Sequence, residues 1–447
     1  MKRIAFNTLG CRLNQYETDA LASSFRDAGY EIARWNESAD AYVINTCTVT
    51  DRSDRKSRAL IYQALRAAQK NTGVSPVVVV TGCFVENEEN ELVSDPRITY
   101  VVDNDRKASI FSIVDSHLHG RSVDVNSLAA DRFAFRDSVK GFHTRSSVKI
   151  QDGCDNRCTF CIIPHVRGRA VSRPFDRVLK QVFESIQAGA KEIVITGVNI
   201  GRYRSENMGF ADLLKEVLDI DGDFRVRVSS IEPETGSARR TKSWESGFIA
   251  LLDHPKLCPH LHLCLQSGSD AVLKSMGRRY TTTDVIETVN AIREKRPDFN
   301  LTTDVIVGFP GESDGDFSKT LEVIREINFS HVHTFPFSLR PGTPASRMPG
   351  QISHEAKVRR AREVRNLSDV QKRLYREGLI GKKQTVLIES AEHGAASGYS
   401  EYYVPIEIST NEKVNTFVPV KPVSLGQGKD PALLGITIPS CRDDLRE

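Results

Sequence analysis

Residues 148–169, VKIQDGCDNRCTFCIIPHVRGR, carry the pattern that decides the fold. Cys154, Cys158 and Cys161 follow a short apolar segment with the spacing C-x3-C-x2-C. Three thiolates this close together can face one small volume, and soft sulfur donors suit an iron–sulfur cluster or zinc. Structural zinc usually takes four ligands, and no fourth Cys or His lies at zinc-finger spacing, although His165 is nearby. The spacing therefore favours a cluster with one open iron, and a zinc knuckle is the alternative.

The same loop opens a long strand–helix alternation over residues 146–352. The predicted strands are 147–151, 192–196, 225–229, 260–265, 301–307 and 331–337, with helices 176–188, 211–218, 283–295 and 316–327. Successive strand–helix units predict a partial (βα)6 barrel whose chemistry lies at the C-terminal ends of the strands.

Residues 1–118 predict a second α/β unit. Strands at 3–8, 41–46, 77–81 and 100–102, with helices at 15–27 and 52–70, indicate a doubly wound parallel sheet. Cys11, Cys47 and Cys83 each come just after one of these strands. Parallel strands end at the same edge, so the three thiols can converge there. The alternative is three cysteines buried in an ordinary core.

The rest of the chain divides into three segments. Residues 119–145 have no clear period and predict a linker. Residues 353–377 predict one helix, and from 356 to 376 it has eight Lys or Arg against two Asp or Glu, a net +6. Residues 378–441 alternate with period two between Gly and Pro residues, which predicts a small antiparallel β-barrel.

Composition excludes several classes of protein. With 447 residues, 39% of them hydrophobic, the chain can bury real cores, and disorder throughout is excluded. No apolar run approaches the ~20 residues that span a bilayer, and the first ten residues lack a signal-peptide core, so we expect a cytoplasmic protein without a membrane segment. Nine cysteines are too few for a disulfide scaffold. A net charge of +3 neither supports nor excludes nucleic acid.

Taken whole, the chain resembles the radical S-adenosylmethionine (SAM) methylthiotransferase family. Phe160, immediately before the last cysteine of the loop, also fits the radical SAM motif. The matching segments are TLGCRLNQYETDA (8–20), VINTCTVT (43–50), TGC (81–83), QDGCDNRCTFCIIPHVRGR (151–169), SSIEP (229–233), HLCLQSGSD (262–270) and TTDVIVGFPGE (302–312). The resemblance implies that 1–118 is the methylthiotransferase domain, 146–352 the radical SAM domain and 378–441 an OB-like TRAM domain.

The resemblance also implies the chemistry. A 4Fe–4S cluster on Cys154, Cys158 and Cys161 would bind SAM and generate a 5′-deoxyadenosyl radical. A second 4Fe–4S cluster on Cys11, Cys47 and Cys83 would hold or donate sulfur, which a second SAM methylates. The segment GCRLNQYET is most similar to the subgroup that acts on carbon 2 of N6-threonylcarbamoyladenosine, the adenosine beside the tRNA anticodon. The expected partners are the tRNA anticodon stem-loop and an electron donor such as flavodoxin or ferredoxin.

Residues at or near predicted strand ends are candidates for SAM contacts. They are Phe160, Thr196, Gly197, Asn199, Glu232, Gln266 and Asp304. Arg167 and Arg169, just after the cysteine loop, would either neutralise SAM or RNA phosphate or lie solvated at the surface. The basic helix supplies candidate tRNA contacts at Arg359, Arg362, Lys372 and Arg376.

The sequence departs from the family pattern in three places. Cys264 stands where the HLPLQSG pattern has proline, and residues 234–243 are an apparent insertion. From 380 to 447 the chain has seven Lys or Arg and nine Asp or Glu, a net −2, which is unusual for a domain that grips RNA. Cys258, Cys264 and Cys441 have no partner spacing and are interpreted as structural.

Other functions are also considered. The same chemistry could act on isopentenyladenosine in tRNA or on a ribosomal protein. A non-catalytic iron–sulfur RNA-binding protein would keep the cysteines without needing SAM, and a redox carrier would need no barrel pocket.

Overall fold

The structure, a computed structural model, describes residues 1–70, 75–135, 144–233 and 244–439. The apparent insertion at 234–243, Cys441 and residues 136–143 of the predicted linker lie outside the described residues. Among the described residues no helix combines the length and apolarity needed to cross a membrane.

The N-terminal unit is a parallel sheet with helices on both faces, as the alternation predicts. Its strands are β1 (Arg3–Thr8), β2 (Glu31–Ala33), β3 (Ala41–Thr46), β4 (Val77–Gly82) and β5 (Tyr100–Val102), in the order β2-β1-β3-β4-β5. Its helices are α1 (Arg12–Asp27), α2 (Asp51–Lys70), α3 (Cys83–Ser94) and α4 (Ile110–Leu118). Helices α1 and α4 cover one face, and α2 and α3 cover the other. The short strand β2 has no counterpart in the sequence prediction.

The central unit is the predicted partial barrel. Its strands are β6 (Ser146–Asp152), β7 (Val171–Ser172), β8 (Glu192–Gly197), β9 (Arg204–Ser205), β10 (Met208–Gly209), β11 (Arg225–Val228), β12 (Ser230–Ile231), β13 (His260–Leu263), β14 (Asn300–Val307) and β15 (His331–Pro336). Its helices are α5 (Ile163–Val166), α6 (Phe175–Gln187), α7 (Phe210–Asp219), α8 (Trp244–Ala250), α9 (Asp270–Ser275), α10 (Thr282–Lys295) and α11 (Asp314–Ile327). The strands form two four-stranded sheets, β11-β8-β6-β7 and β12-β13-β14-β15, and a two-stranded sheet of β9 and β10, and α1 packs on β6.

Alternation along the central strands leaves a polar inner face. Leu261 and Leu263 pack in the core beneath the helices, so His260 and His262 point the other way. We call this inner face the lumen.

The C-terminal unit is helix α12 (His354–Glu377) followed by a closed barrel. The barrel strands are β16 (Gln384–Glu392), β17 (Ala395–Ser400), β18 (Pro405–Ser409), β19 (Phe417–Leu425) and β20 (Leu433–Thr437). All neighbouring pairs are antiparallel except β18 and β20, which are parallel.

This small barrel docks at the N-terminal ends of the central strands. Arg225 and Arg227 both bind the buried Glu192 carboxylate, at 2.6 and 2.7 Å. The remaining guanidinium N–H groups of Arg225 donate to the backbone carbonyls of Thr385 and Tyr399, each at 2.8 Å. The ion pairs are buried, and the remaining arginine N–H groups donate to backbone carbonyls of the small barrel. These interactions fix the orientation of the small barrel on the central unit.

Candidate active site

The cysteine loop between β6 and α5 is tightly folded. Gly153 has φ +68°, and a Cβ built there would lie 2.0 Å from the carbonyl oxygen of Arg169. The Cys154 N–H donates to the Gly168 carbonyl at 3.1 Å, and the Cys161 N–H donates to the Cys158 carbonyl at 3.1 Å. Only glycine fits the first turn, so both ends of the loop are fixed next to each other.

Burial governs the state of the loop thiols. It raises the pKa of Cys154 and Cys158 and raises that of Cys161 to about 12. The metal-free thiols are therefore protonated at neutral pH, and metal binding must displace their protons.

The spacing of the sulfurs argues against the zinc alternative. A zinc–sulfur bond is about 2.3 Å, so two sulfurs on one ion can be no more than ~4.6 Å apart. Among the described residues, the one group of three His, Cys, Asp or Glu side chains whose ligand atoms all lie within 4.8 Å of one another is His262, Cys264 and Asp304. Neither cysteine triplet is gathered that tightly. An iron–sulfur cluster distributes its ligands over several irons, so its thiolates need not lie within reach of one ion.

A charged group borders the loop on the lumen side. Arg278 pairs with Glu232 at 2.8 Å, and Asn199 donates to the other Glu232 oxygen at 3.0 Å. Asn156, within the loop, also donates to Glu232. The structure thus brings the predicted residues Asn199 and Glu232 beside the cysteines. Arg278 was missed, because the Arg-Arg pair after a short helix matches no ligand-binding pattern in the sequence.

The other predicted SAM residues line the same space less closely. Phe160 packs edge-on with Phe309, with ring centroids 6.4 Å apart, and the Arg278 guanidinium carbon lies 5.6 Å from the Phe160 centroid. Thr196 and Gly197 end β8. Asp304 instead pairs with His262 at 3.3 Å.

Gln266 and His262 have special local environments. Gln266 has φ +65°, a left-handed conformation, and its N–H donates to the Asp304 carbonyl at 2.8 Å. Burial would lower the pKa of His262, but hydrogen bonds to Asp304 and Cys264 raise it to about 10. His262 is therefore an imidazolium ion at neutral pH. The interpretation of Cys264 as merely structural misses this lumen group, which becomes visible only when β13 and β14 are paired.

The three N-terminal cysteines meet at one edge of their sheet. Cys11 precedes α1, Cys47 follows β3, and Cys83 is the first residue of α3. A Cβ built on Gly10 would lie 2.9 Å from the Cys47 Sγ, and Cys11 and Cys83 both act electrostatically on the Cys47 thiol. Cys47 and Cys83 are buried, whereas Cys11 is exposed.

Arg167 lies between the two cysteine sites. The sequence pattern predicts it either beside a phosphate or SAM or solvated at the surface. Its side chain is buried rather than solvated, and Nε lies 3.3 Å from the Cys83 Sγ. Nη1 donates to Asp152 at 3.0 Å, two residues before Cys154, and Nη2 donates to the Asn14 side chain at 2.6 Å. The expected role in neutralising SAM or RNA phosphate is replaced by a buried bridge. Arg169 is the exposed one of the pair, with its side chain 93% accessible.

Arg167 belongs to a buried cluster with an excess of positive charge. Lys107, Lys149 and Arg167 face only two carboxylates, those of Glu17 and Asp152, and every side chain is at most 2% exposed. Burial would raise the pKa of both carboxyls, yet the neighbouring cations, Arg167 first, hold that of Glu17 well below its usual range and that of Asp152 at about 2. Three basic and two acidic side chains give the cluster a formal charge of +1, and burial lowers the pKa of Lys107 within it. A buried excess charge is costly unless compensated, and anionic thiolates beside it would compensate.

The basic helix presents its predicted tRNA residues unequally. Arg359 and Arg362 are exposed, although Arg359 pairs with Asp314 at 3.3 Å. Lys372 and Arg376 instead hold Asp430 of the C-terminal barrel, at 3.5 and 2.8 Å. Arg376 is also buried, so these two residues fasten the helix to the barrel.

Known proteins match this chain over both cysteine-bearing units. The model of the radical SAM superfamily matches residues 148–324, and that of uncharacterized protein family UPF0004 matches residues 3–103. The threonylcarbamoyladenosine tRNA methylthiotransferase MtaB of Thermotoga maritima is 39% identical over 100% of this chain and 98% of its own length. The tRNA-2-methylthio-N(6)-dimethylallyladenosine synthase of Zymomonas mobilis is 31% identical over 87% of this chain and 86% of its own.

A solved structure agrees at the level of the fold. The radical SAM methyltransferase TsrM of Kitasatospora setae covers 77% of this chain and 75% of its own with a TM-score of 0.55 and 16% identity. The chain belongs to the radical SAM methylthiotransferase family. It is an enzyme that uses SAM and a 4Fe–4S cluster.

Proposed function

We propose that this enzyme methylthiolates carbon 2 of N6-threonylcarbamoyladenosine at tRNA position 37, next to the anticodon. The product is 2-methylthio-N6-threonylcarbamoyladenosine. The observation that carries the proposal is the second cysteine triplet, which converges at a sheet edge beside the radical SAM loop. The substrate is the one named for the Thermotoga maritima relative, which matches over the full chain at higher identity than the dimethylallyladenosine synthase.

The proposal includes a second 4Fe–4S cluster on Cys11, Cys47 and Cys83. Its support is the convergence of the three thiols and the buried +1 charge that Arg167 presents to Cys83 at 3.3 Å. When bound, this cluster would supply an iron open to a sulfur ligand. The chain's own part is to hold that site next to the loop of Cys154, since Arg167 contacts both Cys83 and Asp152.

The SAM contacts are proposed on the same basis. Asn199 and Glu232, together with Arg278, form a charged rim at the cysteine loop and would bind the polar end of SAM. Phe160, Thr196, Gly197, Gln266 and Asp304 line the remaining space. Reduction of the radical SAM cluster would come from a small electron carrier such as flavodoxin or ferredoxin. Because tRNA is the substrate, we place the reaction in the cytoplasm.

The decisive experiment is mass spectrometry of tRNA nucleosides. Cells lacking the protein should accumulate threonylcarbamoyladenosine without its methylthio form. The wild-type gene should restore the product, whereas Cys47→Ala and Cys154→Ala should not. Loss of methylthio-isopentenyladenosine instead would identify the other tRNA substrate, and unchanged tRNA with an altered ribosomal protein would overturn the proposal.

The tRNA surface is proposed to lie on α12. Each phosphate neutralised by Lys or Arg contributes about −0.7 to −0.9 to the log–log salt slope of binding. Changing the exposed pair Arg359 and Arg362 to Ala should flatten the slope by up to about two such units. The matched pair Lys372 and Arg376 should flatten it less, because both side chains are held against Asp430 of the C-terminal barrel and Arg376 is buried.

The C-terminal barrel provides the control for this surface. Lys382, Lys383, Lys413 and Lys421 lie in a segment of net −2 charge from seven basic and nine acidic residues. Their replacement by Ala should alter the slope less than replacement of the helix residues. Binding isotherms over a salt series decide the matter, and a larger loss from the barrel set would move the RNA surface to the barrel.

A further inference from the structure

Arg12 connects the N-terminal cysteine site with the lumen of the central barrel. It directly follows Cys11 as the first residue of α1 and is half-buried. Its Nη2 donates to the Tyr403 hydroxyl at 2.9 Å, and its guanidinium carbon lies 5.4 Å from the centroid of that ring. Tyr403 comes from the turn between β17 and β18 of the C-terminal barrel and has φ +60°. The N-terminal unit and the C-terminal barrel therefore meet at this guanidinium.

The neighbours of Tyr403 show where the Arg12 guanidinium lies relative to the central barrel. The Tyr403 ring lies 4.9 Å from the ring of His260, centroid to centroid, and the Arg227 guanidinium carbon lies 4.8 Å from its centroid. His260 begins β13, and Arg227 belongs to β11, so this is the N-terminal end of the barrel. The Arg12 guanidinium thus lies in the lumen, while its backbone adjoins a cysteine of the second triplet.

The charge of Arg12 is not neutralised. Other lumen cations have carboxylate partners, since Arg227 pairs with Glu192, Arg278 with Glu232 and His262 with Asp304. No carboxylate of the described residues lies within 4.0 Å of Arg12, and its side chain donates instead to the phenol of Tyr403.

The pKa values of neighbouring side chains reflect this excess of positive charge. Burial would raise the pKa of Tyr403, but Arg12, Arg145 and Arg227 together hold it below its usual value. Burial lowers the pKa of His260 and of His333, and Arg12 adds to both effects. The lumen around Arg12 is therefore an environment that favours an anion.

The substrate class has a matching group. A threonylcarbamoyl substituent on the adenine amino group carries one carboxylate and one hydroxyl, whereas an isopentenyl substituent carries neither. Arginine binds carboxylates through two parallel N–H donors, and a partly buried site strengthens such a pair. We propose that Arg12 binds the threonylcarbamoyl carboxylate inside the lumen and so selects threonylcarbamoyladenosine over unmodified adenosine. This inference rests on the proposed function and names the residue that reads the substituent.

The test compares the binding of two synthetic anticodon stem-loops, one with threonylcarbamoyladenosine and one with adenosine at position 37. Hydrogen bonds to charged groups contribute enough that the wild-type enzyme, purified anaerobically with its clusters, should prefer the modified RNA by about tenfold to a hundredfold. Arg12→Gln should lose this preference while binding the unmodified stem-loop as wild type does. Arg12→Lys keeps the positive charge but not the two parallel N–H donors, and it should retain part of the preference. Arg325→Gln, an exposed arginine on α11, should retain all of it.

Three other results would each overturn the inference. A modified-RNA preference that survives in Arg12→Gln overturns the inference, as does a wild-type enzyme that makes the product without any preference. Iron content and thermal unfolding are measured for each variant, and loss of iron in Arg12→Gln that Arg12→Lys does not restore would assign Arg12 a structural role and also overturn it. Failure of the proposed function is separate, because it appears as absence of the methylthio product in cells with the wild-type gene.

Discussion

The two cysteine sites are built in opposite ways. Cys154, Cys158 and Cys161 lie within one loop, whose geometry is fixed by Gly153 and by hydrogen bonds between residues close in sequence. Cys11, Cys47 and Cys83 are separated by 36 residues each and meet only because three parallel strands end together. All three ligands of the first site come from one segment, which further hydrogen bonds to Met276 and Ala345 hold in place, whereas the second site exists only in the folded sheet.

The charged residues around the two sites also differ in how far along the chain they come from and in whether their charges balance. The loop site borders a rim of Glu232 and Arg278 that is paired within itself at 2.8 Å. The sheet-edge site borders the buried cluster of Lys107, Lys149, Arg167, Glu17 and Asp152, drawn from two units and carrying excess positive charge. The sheet-edge site should therefore be the more sensitive to distant substitutions.

The largest expected effect comes from removing one cysteine at each site. Cys154→Ala should not cleave SAM to 5′-deoxyadenosine, whereas Cys47→Ala should cleave it and form no methylthio product. Anaerobically reconstituted wild type should bind about eight irons and each variant about four, because a cubane cluster holds four. Product analysis and iron assay check this. Normal methylthio product from Cys47→Ala would reduce the sheet-edge triplet to a structural role.

Next in size is the bridge between the sites. Arg167→Met leaves Lys107 and Lys149 to pair with Glu17 and Asp152 but removes the buried hydrogen bonds that Arg167 makes to these carboxylates and to Asn14, and each hydrogen bond to a charged group contributes about 1.5–3 kcal/mol. We expect this loss in the free energy of unfolding by urea, with iron lost first from the sheet-edge site. The control is Arg169→Met, whose side chain is 93% exposed and whose effect should stay within about 0.5 kcal/mol. Equal effects of the two substitutions would show that the bridge contributes nothing.

A smaller and more local effect is expected at the loop site. Glu232→Gln keeps the size of the side chain but removes the charge that pairs with Arg278. Hydrogen bonds to charged groups contribute about 1.5–3 kcal/mol, so SAM should bind about tenfold to a hundredfold more weakly, with iron content unchanged. Anaerobic equilibrium dialysis measures the affinity, and Glu322→Gln on the surface of α11 serves as control. Unchanged SAM affinity would remove Glu232 from the SAM site.

The smallest expected effect comes from two glycine-to-alanine substitutions. They separate the cost of backbone strain from the effect of crowding a cysteine that would bind the cluster. Gly10→Ala and Gly29→Ala both place an alanine at positive φ, +106° and +85°, at a cost of roughly 1–2 kcal/mol each. Only at Gly10 does the new Cβ meet the Cys47 side chain, at 2.9 Å, while nothing lies within 4 Å at Gly29. Both variants should lose similar stability by thermal unfolding, but only Gly10→Ala should lose sheet-edge iron. Iron retained in Gly10→Ala would mean that the cysteines can shift without penalty.

Much of this protein could be predicted from its sequence, because the relevant forces act between near neighbours. The period of apolar residues placed the longer strands of both α/β units, with β1, β3 and β5 at their observed bounds, and missed the three-residue β2 and the two-residue strands β7, β9, β10 and β12. The spacing of Cys154, Cys158 and Cys161 indicated the cluster loop, since ligands within eight residues need no information about the fold. Glycine before Cys11 and Cys83 marked the sharp turns there.

Other features depend on contacts between distant segments, which a single sequence does not encode in any local pattern. Arg167 lies two positions from exposed residues on both sides, His165 and Arg169, and only the packing of α1 against β6 makes it a buried bridge to Cys83. Lys372 and Arg376 have the same charge as Arg359 and Arg362, but docking of the C-terminal barrel gives them Asp430 as a partner. The sequence by itself thus determined the elements and the cysteine loop. Tertiary structure decided which charges are buried and paired, because Coulomb interactions depend on distance and burial rather than on position along the chain.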